Sequence, residues 1–373
     1  MRVAIVRRVP KASFSMDVYA DGIVNGLKAV RPDWDIVELV PPIASTKGKS
    51  WLVGLQKYYQ RYWSFPSTVR QQDVDLFHII DHSDGHLAYW LQGAHKPIVV
   101  TCHDLINFLQ PENISDQAKL PLLSAAVWKY AVKGIRHADH IVTVSAHTAK
   151  DVIRLMTVEA ERLTVAPNAV EALFQPLPPS EFAWVRQQQQ ISSETTCLLN
   201  VGSNHPRKNV AAVLSALNTL KDQGVSVHLF KTGADFTAEQ KTFIQSHNLK
   251  SFVTYLGKPD KTALIQIYNA ADILVAPSLY EGFGMTILEA MACGTPVVTS
   301  NVTSLPEVAG DAAIVVAPND IAAIVQAVDQ LREDDNLRHL LIEKGLVRVK
   351  SFTWEKTSEL IADIYEQLLD KAP

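Results

Sequence analysis

Short runs of Val, Ile and Leu alternate along the chain with longer segments whose apolar residues recur at helical spacing. One series of runs covers residues 2–6, 36–39, 76–80, 98–101, 141–144 and 163–166. A second covers 197–201, 226–230, 253–256, 273–276, 296–299 and 313–316. Runs this continuous, with no polar residue at every second place, are what a parallel sheet covered on both faces requires of its strands. The alternation of strand and helix predicts a doubly wound α/β architecture with right-handed crossovers. It breaks once, over 171–194, where Pro176, Pro178 and Pro179 precede the glutamines 187–190. That composition reads as a linker. The predicted organisation is a first domain over 1–175, a linker over 176–194 and a second domain over 195–352. Both domains are expected to be Rossmann-like and to face a central cleft. An amphipathic helix within 353–373 is expected to pack back on the first domain.

Composition narrows the function classes. With 373 residues, 47% hydrophobic and 20% charged, the chain is an ordinary globular one of two domains. Lys+Arg 35 against Asp+Glu 39 gives a formal net charge of −4 and no bulk attraction to nucleic acid. Cys102, Cys197 and Cys293 lie too far apart in sequence for a CxxC site, and a reducing compartment is the simpler expectation. The opening MRVAIVRRVP runs straight into the first strand, and no stretch reaches the ~18 apolar residues of a membrane span. A cytoplasmic protein is expected, at most resting on a membrane surface. The loop after the first strand, 7–17, carries no GxGxxG, and no GxxxxGK[ST] occurs anywhere. Hydride transfer and P-loop hydrolysis lose their main support.

Three segments can carry chemistry. In ILVAPSLYEGFGMTILEAMACGTPVVTS (273–300), a strand ends near Pro277 and a glycine-broken loop leads into a helix starting near Met285. Gly282 and Gly284 let backbone approach a ligand, and the amides of Met285 and Thr286 at the helix start form an anion site. Glu281 and Glu289 are placed to accept hydrogen bonds from sugar hydroxyls on either side of a phosphate. A tight turn with two solvent-facing glutamates is the plainer alternative. In LNVGSNHPRKN (199–209), Arg207 and Lys208 stand where a second helix begins. Cations there oppose the helix dipole unless an anion joins them, whereas a solvated basic pair needs no ligand. In VVTCHDL (99–105), His103 follows a strand end, where open α/β sheets bind ligands. It also fits a strand-end histidine partnered by Asp104.

Together these motifs resemble family 4 retaining glycosyltransferases of GT-B fold. EGFGMTILEA carries the E-x7-E spacing of that family's donor site, and TCHDL, VAPNAVEALFQP, PRKN and SLPEVAGDAA fall in the family's order. The resemblance spans nearly the whole chain. It implies that Glu289 binds the nucleotide ribose and that Glu281 lies near the transferred sugar. It further implies that Gly202, Ser203, Gly282 and the amides of Phe283, Gly284, Met285 and Thr286 hold sugar and distal phosphate. Lys208 with Arg207 would neutralise the diphosphate, and His103 would contact the donor from the first domain. Base recognition is expected along the backbone of Leu256, Gly257 and Lys258. One departure matters: many relatives carry arginine where this chain has Ser203.

The expected reaction is transfer of a hexose from a GDP- or UDP-sugar to a carbohydrate or lipid-linked acceptor, with retention and with neither metal nor cofactor. Another nucleotide-sugar enzyme such as an epimerase, and a non-catalytic sugar-nucleotide binder, are the alternatives. HIIDHSDGH (78–86) crowds His78, Asp81, His82, Asp84 and His86 together and suggests a metallohydrolase, although helical ligand spacing does not carry across a strand-to-loop transition. WLVGLQKYYQRYWSFP (51–66) interleaves aromatics with Lys57 and Arg61, which suits either a membrane interface or a core-facing helix with a basic outer side. Ser304 with Glu307 reads as a helix cap, and Ser145 and Asn168 as turn residues.

Overall fold

The computed structural model describes residues 1–9, 14–42, 56–109 and 121–371. The chain forms two compact units, Met1–Asn168 with Trp354–Pro373, and Ala169–Thr353. Each contains a parallel sheet of six strands. The first sheet comprises β1 (Arg2–Val6), β2 (Asp35–Leu39), β3 (Leu76–Ile79), β4 (Ile98–Cys102), β5 (His140–Thr143) and β6 (Leu163–Val165), in the order β2-β1-β3-β4-β5-β6. The second comprises β7 (Thr196–Gly202), β8 (Val227–Gly233), β9 (Val253–Tyr255), β10 (Ile273–Ala276), β11 (Val297–Ser300) and β12 (Ile314–Val316), in the order β12-β11-β10-β7-β8-β9. Every run singled out in the sequence is a strand, with ends that coincide or are displaced by at most three residues. The central strands β3, β4, β10 and β11 are almost wholly buried, which is why their sequences lack alternation.

The helix Trp354–Asp370 belongs to the first unit and packs along the helix Phe14–Val30. Two glycines on one face of the earlier helix permit the close approach: a side chain on Gly22 would enter the Trp354 ring, and one on Gly26 would collide with Ser358. Arg31 Nε donates to Glu366 Oε1 at 2.8 Å at the rim. Further in, the Tyr365 hydroxyl lies 2.5 Å from His78 Nδ1, and His78 Nε2 lies 2.8 Å from Thr101 Oγ1. Burial with no anionic partner pushes the His78 imidazole down to about 3, so it stays neutral.

The segment expected as a linker is instead fastened to the second unit. Pro179 opens the helix Pro179–Gln187, taking the first-turn place where a missing N–H costs nothing. Trp184 Nε1 donates to Gln266 Oε1 at 3.1 Å, and Arg186 reaches Asp272 at 2.6 Å. Asn269 of the helix Lys261–Ala270 accepts from Leu177 N at 2.7 Å and donates to Gln175 O at 3.1 Å. The second unit therefore begins at Ala169, not 195, and the prolines that suggested a break start a docked helix.

Candidate active site

In the second sheet the strand order reverses direction between β7 and β10, and the loops leaving those two strands meet there. This is where open α/β sheets bind ligands. β7 ends at Gly202, with φ 130°, a conformation that glycine tolerates and side chains resist. Gly202 pairs with Gly233, and a Cβ on Gly233 would strike the Gly202 carbonyl. The chain then forms a single tight turn, Pro206–Lys208. Asn209 closes it in a left-handed conformation (φ 54°), its side-chain amide donating to Pro277 O at 3.1 Å and to Pro318 O at 2.7 Å. Leu279 N donates to Arg207 O at 2.7 Å, joining the two loops directly.

That pinning brings three predicted residues together. Arg207 Nη1 reaches Glu281 Oε2 at 2.7 Å and the Tyr280 carbonyl at 3.0 Å. Lys208 Nζ lies 2.6 Å from Glu281 Oε1, which also accepts from Ser278 Oγ at 2.8 Å. Glu281 is buried, with 7% of its surface exposed. Burial alone would raise its pKa, but Lys208 and Arg207 more than offset this and hold the carboxyl at about 2. Both carboxylate oxygens are engaged, so Glu281 acts here as the anchor of two cations.

The helix Met285–Ala292 starts on Gly284, left-handed at φ 117°, with no side chain capping the first amides. Those amides, at Met285 and Thr286, are the ones at which the sequence reading expected an anion. The loop before them is fixed from the following segment: Thr303 Oγ1 accepts from Glu281 N at 3.1 Å, and Ser304 Oγ lies 2.8 Å from Glu281 O and 2.7 Å from Phe283 O. This corrects the reading of Ser304 as a cap, since its hydroxyl makes no cap bond to the helix Leu305–Ala309. Glu289 faces Tyr268, whose hydroxyl donates to Oε2 at 2.7 Å; burial raises the carboxyl's pKa. At the expected base-binding edge, Gly257 takes a positive φ of 75° and its carbonyl accepts from Gly233 N at 2.8 Å, while Lys258 is exposed. Ser203 is exposed as well. Tyr268, Ser278, Thr303 and Lys231 were missed in the sequence. A hydroxyl or a lone lysine in an apolar stretch carries no pattern of its own.

His103 belongs to the first unit, directly after β4. It is buried, and Nε2 lies 2.8 Å from Ile80 O. Its ring meets Tyr19 edge-on at 4.6 Å, and burial lowers its pKa, leaving a neutral imidazole. Asp104 acts on the ring only through its charge, and its carboxylate accepts from Ile106 N at 3.2 Å. Cys102 is buried and its thiol is pushed well up, which makes it a poor nucleophile. The HIIDHSDGH residues are engaged largely by two arginines, Arg8 and Arg61. Asp81 pairs with Arg8 at 3.0 Å, Asp84 pairs with Arg61 at 2.7 Å, and His86 Nε2 meets Arg61 O at 3.0 Å. Among the described residues no group of three or more His, Cys, Asp or Glu side chains is arranged to hold a metal. Where the order of the first sheet reverses, between β1 and β3, a cavity of about 400 Å³ opens, lined by Arg8, Lys57, Gln60, Arg61, Asp84 and His86 with Phe65 and Leu87.

Comparison with known proteins bears on the family and the fold. Residues 5–172 match the family profile Glycosyltransferase Family 4, and residues 183–348 match Glycosyl transferases group 1. The O-antigen chain mannosyltransferase B of Escherichia coli is 34% identical over 75% of this chain and 73% of its own length. Among solved structures, sucrose-phosphate synthase from Thermosynechococcus elongatus superposes with a TM-score of 0.78 at 20% identity, covering 99% of both chains. Anabaena HepE, in complex with UDP and glucose, gives 0.75 at 18% identity over 98% of this chain and 99% of that one. At these identities the two structures speak for the fold, which is GT-B.

Proposed function

The chain belongs to the group 1 glycosyl transferases, glycosyltransferase family 4, and from that premise we propose that it moves a hexose from a nucleotide diphosphate donor to a carbohydrate or lipid-linked acceptor, retaining the anomeric configuration and using no metal. The observation that carries this reading is the cluster of Arg207, Lys208 and Glu281 beside the uncapped start of the helix Met285–Ala292. Breaking the anomeric C–O bond leaves positive charge on the sugar and growing negative charge on the departing diphosphate. Cations and amides fixed beforehand stabilise that charge more in the transition state than in the ground state. Glu281 keeps Arg207 and Lys208 in position before the donor arrives, and the diphosphate then shares them. Retention is proposed through attack on the face the diphosphate leaves, with a phosphate oxygen taking the acceptor proton.

Glu289 is assigned to the ribose hydroxyls, with Tyr268 fixing its orientation. Gly202, Ser203 and the 282–286 backbone are assigned to phosphate and sugar, Leu256–Gly257–Lys258 to the base, and His103 to catalysis from the first unit. The hexose proposed is mannose, on the strength of the 34% identical relative, and GDP and UDP both stand as carriers to be tested. The first-unit cavity, with its mixed basic and amide lining, is the proposed acceptor pocket. Tyr58, Tyr59 and Trp63 beside it are 46%, 62% and 61% exposed, and we assign them a peripheral contact with lipid at the cytoplasmic membrane face.

Turnover is to be measured at saturating GDP-mannose and UDP-hexoses, over an acceptor panel and in excess chelator. Lys208→Ala should lower it at least ~100-fold, because removing one charge-stabilising donor from an active site costs about 2.7–4 kcal/mol of barrier. Near-normal turnover of the variant would overturn the assignment, and a requirement for divalent ion would overturn the metal-free mechanism.

A further inference from the structure

Lys231 sits near the end of β8 with none of its surface exposed. An ammonium group inside a sheet is unfavourable unless something compensates its charge. Among the described residues no carboxylate lies within ion-pair distance of it. Its Nζ donates instead to two backbone carbonyls, Gly202 O at 2.8 Å and Thr232 O at 2.7 Å. Gly202 is the residue from which the loop to Arg207 and Lys208 departs. A side chain on Gly202 would meet Lys208 Cε at 3.5 Å and Nζ at 3.7 Å. Two ammonium groups therefore flank one glycine.

Like charges brought this close repel, and the repulsion is relieved when an anion joins them. Glu281 pairs with both Arg207 and Lys208, while Lys231, on which Asp235 acts only at longer range, has no ion pair of its own among the described residues. The surplus of positive charge suits a ligand carrying more than one negative charge. We propose that Lys231 is the third cation of the diphosphate site, a positioning residue that acts from inside the sheet. It turns the Gly202 carbonyl toward itself, keeping that oxygen off the anion, and adds its charge to the field over the loop. The inference rests on the reading that this site takes a nucleotide diphosphate.

The test is calorimetric titration of the full chain, wild type and Lys231→Met, with GDP, UDP and inorganic pyrophosphate. The variant should bind whichever of these the wild type binds about ten-fold more weakly, pyrophosphate included, because the lost charge acts on the diphosphate and not on the base. Wild-type binding with unchanged affinity in the variant overturns the inference alone. Failure of the wild type to bind any of the three overturns the donor reading, and the inference with it.

A second measurement needs no variant. Burial, followed by repulsion from Lys208, lowers the Lys231 pKa to about 8, with Asp235 acting in the opposite direction. Asn200 and Tyr255 are its register neighbours on β7 and β9. Above about pH 8 part of the population is neutral, and an arriving diphosphate draws a proton onto it. Ligand binding by the wild type between about pH 8 and 9 should therefore take up protons, seen as an enthalpy that varies with buffer ionisation heat. A lysine with only a packing role would leave the enthalpy independent of buffer, and that result overturns the proposal.

Discussion

Burying a carboxylate is unfavourable unless its lone pairs meet donors. At Glu281 they meet Arg207, Lys208 and the Ser278 hydroxyl, and the acid is depressed from its ordinary 4.5 to about 2. A depressed carboxyl stabilises the fold above its unfolded pKa and ceases to do so as pH falls through its folded one. Glu281→Gln should therefore lower stability by about 1–3 kcal/mol near neutral pH. The gap to wild type should close between about pH 4.5 and pH 2, as followed by denaturant unfolding across that range. A gap that persisted at the acid end would mean that packing, not charge, explains the loss. At this scale the sequence was legible in part. The E-x7-E spacing and PRKN pointed to Glu281, Arg207 and Lys208, which the structure brings together, but nothing in the string said that Glu281 would hold the two cations.

Helices and strands follow local pattern where they are long and periodic, and less well where short segments dock. All six strands of each sheet were visible as apolar runs. The proline-rich stretch misled because proline breaks a helix in its interior and starts one at its first turn, and only packing against the helix Lys261–Ala270 distinguishes the two. The aromatic segment is a further case; its first part, 51–55, lies outside the described residues. Arg61 is tied to Asp84, while Tyr59 and Trp63 are exposed at 62% and 61%. If this face meets lipid, the chain should co-sediment with anionic vesicles. Tyr59→Ser with Trp63→Ser should then cut the bound fraction about ten-fold, since burying one large apolar side chain is worth about 1.5–3 kcal/mol. No sedimentation of the wild type would leave these aromatics as the outer side of a helix.

At the scale of the whole molecule, the last helix closes the first unit after the chain has built the second. Tyr365 and Ser358 are fully buried there, and Tyr365 meets His78 in the core. Truncation after Thr353 would open that core and leave Gly22 and Gly26 facing water. Calorimetry should then show the transition of the first unit lost or moved far down in temperature, with that of the second unit nearly in place. A single cooperative transition at the wild-type temperature would show that the helix contributes little. Among the described residues no helix is long and apolar enough to cross a membrane.

What the sequence determined by itself was the α/β alternation, the placing of the strand ends, and the residue types offered there: two cations, two carboxylates and glycines before a helix. These follow from periodicity and backbone freedom, which act over a few residues. Tertiary structure alone decided which groups neutralise which. It placed Lys231 under Gly202, set Ser304 against the 281–283 carbonyls and brought Tyr365 to His78, across 29, 21–23 and 287 residues of chain. Such pairings come from the order in which strands assemble, and a one-dimensional pattern contains no term for that.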